Sequence, residues 1–169
     1  MNNTFLWQKQ EETRLAGISE PVRQLLQCQS LTAGLKESGY GFSVSVLHLG
    51  RLGADSLLAD GWPEWQQQWF GRDVCLCLDG TPVVWARSLC LPSAHIWQEI
   101  LNCGTRPLGE RLFDGSLPLQ RSAFEYLPGG RLEGEIGLFV AARRSFFELS
   151  GQKLGLVECF LPALSDYLK

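Results

Sequence analysis

The feature that most constrains how this chain can fold is the dipeptide Asp79-Gly80. It sits between two apolar runs inside residues 72–87, Arg-Asp-Val-Cys-Leu-Cys-Leu-Asp-Gly-Thr-Pro-Val-Val-Trp-Ala-Arg. Such a pair is the strongest short-range hairpin signal, because a type I′ turn needs positive φ at both central residues. A two-residue loop also fixes register. Leu78 then faces Thr81, Leu76 faces Val83, Val74 faces Trp85, and the same count sets Arg72 opposite Arg87 on one sheet face. Like charges opposed across a strand pair destabilise it, and burying them among apolar neighbours costs more. Either the hairpin end is wet and both guanidinia point to water, or an anion bridges them. Arginine suits the second task, since its planar fork binds carboxylates in a bidentate way. A β-bulge in the hairpin breaks this register and the facing pair with it.

The rest of the chain bounds what such a hairpin can belong to. At 169 residues it has the length of one domain with apolar residues enough for a core. A formal charge of −3 gives no support for nucleic-acid binding, which needs a basic face. The opening residues lack a basic-then-apolar signal pattern, and no apolar run is long enough to span a bilayer, so the expectation is a cytoplasmic protein without membrane insertion. The six cysteines include no C-x-x-C pair and only two histidines accompany them, so core thiols are expected and no metal site. Cys75 and Cys77 share one face of the first hairpin strand.

Taken in order, residues 1–18 read as a loose lead-in with apolar anchors Phe5, Leu6, Trp7 and Leu15. Ser19-Glu20-Pro21 starts a helix running to about Cys28, and Ser30 is a fresh N-cap for a second helix over 31–38, ended by Gly39. That places Leu31 at a helix start, where a backbone N–H has no acceptor within the helix. Residues 42–49 alternate as a strand, with His48 a satisfied side chain at the sheet margin. Residues 50–61 read as a loop. Trp62, Trp65 and Trp69 then recur at helical spacing, a core stripe in the first instance and a ring-stacking site in the second. A helix follows from Pro92-Ser93 through Asn102, with His95 on its surface, and another opens at 105–110, placing Leu108 beside Pro107 in its first turn. Residues 122–126 form a short strand, Pro128-Gly129-Gly130 a turn, and 138–149 a strand carrying Arg143 and Arg144. Ser150-Gly151 turns the chain into a returning strand over 154–161. In that strand Glu158 shares its face with Leu156 and Phe160. It is either exposed on an edge strand or a buried carboxylate with a partner, since a lone buried charge is too costly. Arg143 falls on the same face, opposite or diagonal to it. The sum is a single α+β domain, an antiparallel sheet of about six strands flanked by helices. It carries the parts of a pocket for a small anion.

Several short motifs, in order and over nearly the whole chain from Ser19, resemble the chorismate pyruvate-lyase family. They are Arg72-x-Val-x-Leu-x-x-Asp-Gly, Ala86-Arg87-Ser88-x-x-x-Pro92, Pro107-Leu108-Gly109, Ala142-Arg143-Arg144-Ser145, Leu149-Ser150-Gly151 and Glu158-x-Phe160-Leu161-Pro162. The chain departs in Ala141-Ala142, where glycine is common, and in the linker 129–137. The resemblance implies a chorismate lyase-like domain over 19–169 and the cofactor-free conversion of chorismate to 4-hydroxybenzoate and pyruvate, the entry step to ubiquinone. It also implies a monomer, and product held in a closed cavity under helical flaps and released slowly. Residue by residue, Arg72 matches the family arginine on the ring carboxylate and Glu158 the glutamate near the ring hydroxyl. Leu31, often methionine in the family, and Leu108 match two backbone contacts. Arg87 joins Arg72 and Glu158 as a catalytic candidate, through the hairpin register and the two carboxylates of chorismate. A similar fold senses effectors in a group of transcription regulators, whose DNA-binding helix–turn–helix domain the eighteen residues before Ser19 are too few to supply. A non-catalytic binding protein for 4-hydroxybenzoate or a related aromatic acid is the alternative.

Overall fold

In a computed structural model, residues 5–9, 18–134 and 136–168 are described. Most of the expected lead-in, Leu15 included, lies outside these. Within it, Gln8 bridges to Tyr126 through two backbone hydrogen bonds.

The chain order is α1 (Glu20–Gln27), α2 (Leu31–Lys36), β1 (Phe42–Leu52), β2 (Trp69–Leu78), β3 (Thr81–Cys90), α3 (His95–Leu101), α4 (Leu108–Phe113), β4 (Gln120–Arg121), β5 (Glu125–Arg131), β6 (Leu138–Leu149) and β7 (Gln152–Phe160). All strand pairs are antiparallel, in a seven-stranded sheet ordered β1-β2-β3-β7-β6-β4, with β5 also paired to β6. The α+β class therefore holds, and the seventh strand is the two-residue β4. The hairpin β6–β7 runs over the expected residues, with Ser150 and Gly151 both at positive φ in its turn. Its strand β7 lies between β3 and β6, so Glu158 is on a central strand and not an edge.

The central hairpin departs from the expected register. Leu78 does face Thr81, and Asp79 and Gly80 both take positive φ. Cys77 then pairs with Pro82 but Leu76 with Val84, so Val83 is an extra residue. Proline has no N–H to give a ladder, and inside a sheet it sits at edges or bulges. The carbonyl of Val83 accepts from Leu161 N at 2.9 Å, so the bulge leaves it satisfied. Every later pairing moves by one residue, which turns β3 over. Arg72 faces Ser88 and Asp73 faces Arg87. Arg72 and Arg87 thus lie on opposite faces, and the facing arginine pair does not exist.

The tryptophan stripe is likewise not a helix. Trp62 precedes Pro63, which disfavours helical backbone at Trp62, and its φ and ψ are −109° and 142°. Trp69 opens β2 fully buried, with Trp62 edge-on to it at 4.8 Å, while Trp65 is 83% exposed. Residues 128–130 also lie within a strand, β5, where Gly129 passes so close to the Phe139 carbonyl that a Cβ would sit 2.8 Å from it.

Two layers flank the sheet. On one face α1 and α2 pack on Val74, Leu76, Val84, Ala86 and Phe160. On the other, residues around Leu57, Leu58 and Trp62 cover Cys75, Cys77, Trp85 and Cys159. Four cysteines (Cys75, Cys77, Cys90 and Cys159) are buried and free. Desolvation by burial pushes the Cys75 thiol up to about 11 and the Cys90 thiol to about 12. No helix among the described residues is long and apolar enough to cross a membrane.

Candidate active site

The first face of the sheet carries a narrow cavity of about 40 Å³ between β2, β3, β7, β6 and the helix starts above them. Val44, Val74, Leu76, Ala86, Leu156 and Phe113 supply apolar wall. The polar lining includes Arg72, Ser88, Arg121, Arg143 and Glu158, with Leu31 and Leu108 at the helix starts. Four of the residues singled out from sequence, Leu31, Arg72, Leu108 and Glu158, therefore share one enclosure. Its apolar wall with a few convergent polar groups is that of a small-ligand site.

Glu158 and Arg143 face each other across β7 and β6, as period-two alternation on a tight hairpin dictates. Arg143 Nε donates to Glu158 Oε1 at 2.8 Å, with the arginine side chain 1% exposed. Arg143 Nη1 also reaches the carbonyls of Leu25 (3.3 Å), Leu26 (3.1 Å) and Cys28. These belong to the end of α1, which has no basic residue in its own last turn, so the sheet arginine supplies the donors its C-terminal carbonyls need. Arg143 is thus committed to structure, and it fixes Glu158 at the cavity wall.

Arg72 is held differently. Its Nη2 donates to the carbonyls of Gly104 (3.0 Å) and Arg106 (3.2 Å), in the loop entering α4. It is 3% exposed, and among the described residues no carboxylate forms an ion pair with it. Burial without a counter-charge lowers its pKa. A guanidinium in that state has the charge and the planar donors that suit an anion.

The helices over the cavity are fixed at their starts. Ser30 caps α2, its Oγ accepting from Ala33 N at 3.3 Å. Leu31 and Leu108 are the first residues of α2 and α4, so their N–H groups have no acceptor inside their own helices. Gly109 lets the two helices meet, since a Cβ there would lie 3.0 Å from Thr32 Oγ1. Lys36 Nζ and Glu110 Oε1 join them on the outside at 2.7 Å.

Arg87 stands on the opposite face. Its Nε and Nη2 make a bidentate pair with Asp73 (2.8 and 2.9 Å), and Nη1 reaches Asp55 Oδ1 at 2.9 Å. Burial by itself would lower its pKa, but the bonds and charges of Asp73 and Asp55 outweigh it and raise the guanidinium above its ordinary value. Asp55 Oδ2 accepts from the amides of Leu57, Leu58 and Ala59. Arg87 thus ties the 55–61 segment to the sheet. Arg144 does the same through Asp60 and the Leu57 carbonyl, and it also pairs with Glu125 on β5. His48, half-buried beside the irregularity in β1, bonds the Arg51 carbonyl at 2.9 Å. Among the described residues no cluster of His, Cys, Asp or Glu could hold a metal ion.

Sequence reasoning missed Arg121, which lines the cavity from the two-residue β4. So short a strand leaves no alternation to read.

Comparison with known proteins adds identity to this geometry. A family model described as chorismate lyase matches residues 1–168. A probable chorismate pyruvate-lyase of Shewanella amazonensis is 36% identical over 158 residues, covering 85% of this chain and 80% of the relative. One from Bordetella pertussis is 33% identical over 169 residues, covering 85% and 84%. Among solved structures, PhnF from Mycobacterium smegmatis superposes with a TM-score of 0.57 at 11% identity, over 85% of this chain and 67% of that one. The likeness to PhnF is one of fold.

Proposed function

The chain belongs to the chorismate lyase family, and from that premise we propose that it is a carbon–oxygen lyase eliminating pyruvate from chorismate to give 4-hydroxybenzoate, the ring precursor of ubiquinone. The observation that carries the reading is the shared cavity in which Arg72, a buried arginine without a carboxylate partner, and Glu158, a carboxylate held by Arg143, line apolar walls.

The chemistry asks little of a cofactor. The substrate loses the C4 proton, the C3–oxygen bond breaks, and the enolpyruvate leaving group gains a proton at its methylene. Aromatisation of the ring supplies the driving force. The protein's task is to hold the side chain in a reactive conformer and to stabilise charge on the departing oxygen. In this reading Arg72 takes the ring carboxylate, helped by the Leu31 and Leu108 amides, which add donors without adding net charge. Glu158 takes the C4 hydroxyl, and from that position it can also exchange the C4 proton.

The test is to supply purified protein with chorismate and follow both products. Release of 4-hydroxybenzoate and pyruvate in equal amounts, lost in Arg72→Ala, is the expected result. Chorismate left untouched by a protein that still binds 4-hydroxybenzoate would replace the lyase with an aromatic-acid binding protein.

A further inference from the structure

We propose that Arg121 is the second carboxylate site of this cavity, the one that receives the enolpyruvyl carboxylate and so separates substrate from product. This rests on the lyase reading above and deepens it.

The cavity is lined by three arginines and one glutamate. Arg143 and Glu158 neutralise each other, which leaves Arg72 and Arg121 as two uncompensated positive charges. Chorismate carries two carboxylates and 4-hydroxybenzoate one. With Arg87 turned to the opposite face, Arg72 alone leaves the second carboxylate of the substrate unanswered.

Arg121 is built for an anion. Its Nη1 donates to the Gln29 carbonyl at 3.0 Å and its Nε lies 3.3 Å from Ser145 Oγ. Its guanidinium stacks near Phe124 (4.2 Å), Phe113 (4.8 Å) and Phe147 (5.0 Å). These hold the plane in one orientation, yet none brings a negative charge, and among the described residues no carboxylate forms an ion pair with it. Desolvation, with the neighbouring Arg143 charge adding to it, outweighs the opposing charge of Glu158 and brings its pKa down to about 10, which leaves it charged at neutral pH.

Position supports the same assignment. Across the sheet the order is β2, β3, β7, β6, β4, which sets Arg72 on one side, Glu158 in the middle and Arg121 on the far side. In chorismate the ring carboxylate is at C1, the hydroxyl at C4 and the enolpyruvyl ether at the adjacent C3. A ring with its carboxylate on Arg72 and its hydroxyl at Glu158 has its C3 substituent on the hydroxyl half, and with C3 turned to the β4 side that substituent faces Arg121. The product has no group that reaches there.

The experiment compares Arg121→Met and Arg121→Lys with the wild type in three readouts: kcat/KM for chorismate, affinity for 4-hydroxybenzoate, and affinity for 3-carboxymethoxy-4-hydroxybenzoate, an unreactive dianion. Wild type is expected to bind the dianion at least about tenfold tighter than the monoanion, the worth of one charge-assisted contact. Arg121→Met should erase that preference and lower kcat/KM on the order of 10²-fold, while 4-hydroxybenzoate affinity stays within about threefold. Arg121→Lys, which keeps the charge, should restore most of the preference. A purely structural arginine would lose both ligands in parallel, and that result overturns the assignment, as does a wild type without dianion preference, a reading that needs no variant to fold. The dianion comparison does not depend on turnover. A preference that needs Arg121 in a protein inert toward chorismate would refute the lyase and keep the site, and turnover with an Arg121-independent preference would do the reverse.

Discussion

Replacing Arg87 with alanine should cost this protein its stability and leave its ligand in place. The side chain is 18% exposed and bonds Asp73, 11% exposed, and Asp55, 0% exposed. Deleting it leaves two carboxylates with little water and no cation. Removing one partner of a buried pair typically costs about 3–5 kcal/mol, because the other charge stays buried. Residual exposure of the arginine argues for the lower end, about 3 kcal/mol. With a urea slope of about 2 kcal/mol per molar, the unfolding midpoint should fall by about 1.5 M. The double variant Arg87→Ala/Asp73→Ala should lose less than the sum of its parts, by on the order of 1 kcal/mol or more. Affinity for 4-hydroxybenzoate, measured by titration well below the unfolding transition, should change by less than about twofold, since Arg87 and the cavity are on opposite faces. An unchanged midpoint with lost ligand binding would return Arg87 to the site.

Arg72 gives the reverse pattern, because the fold lowers its pKa where it raises that of Arg87. Arg72→Ala should lower kcat/KM on the order of 10³-fold, with a midpoint shift far smaller than that of Arg87→Ala. Glu158→Gln preserves an oxygen for Arg143, which also keeps its three backbone acceptors. Steady-state kinetics should show kcat down about 10²-fold, with product affinity within about fivefold. Glu110→Ala removes the Lys36 bridge between α2 and α4. That pair is about half exposed and worth at most about 1 kcal/mol, so stopped-flow displacement should show 4-hydroxybenzoate leaving no more than about fivefold faster, with the difference shrinking at high salt.

How far the sequence could be read depended on whether local chemistry or tertiary packing set each element. The β6–β7 hairpin was legible because a two-residue turn without irregularity fixes register, and it brought Arg143 to Glu158 as alternation requires. The Ser30 cap was legible for the same local reason. The β2–β3 hairpin was legible only to Cys77, where one extra residue reversed the faces of all that follows in β3. Pro82 was the available signal, since proline inside a central strand marks a bulge. The tryptophans misled because spacing cannot say whether rings meet along one helix or across a sheet. Trp62 and Trp69 meet through tertiary packing, with Phe146 as a third ring, and Pro63 was the sign against a helix. Arg121 had no signal at all. Its importance comes from what surrounds it, three phenylalanine rings and a cavity assembled from distant strands.

In the proposed reading one cavity, between Arg72 and Glu158, holds the aromatic ring. A crystal structure of the protein with 4-hydroxybenzoate tests it most directly. The expected result is the carboxylate against the Arg72 guanidinium with the Leu31 and Leu108 amides, the hydroxyl within hydrogen-bond reach of Glu158, and the space before Arg121 free of ligand. Ligand bound on the opposite face beside Arg87, or in this cavity with its carboxylate turned away from Arg72, would contradict it.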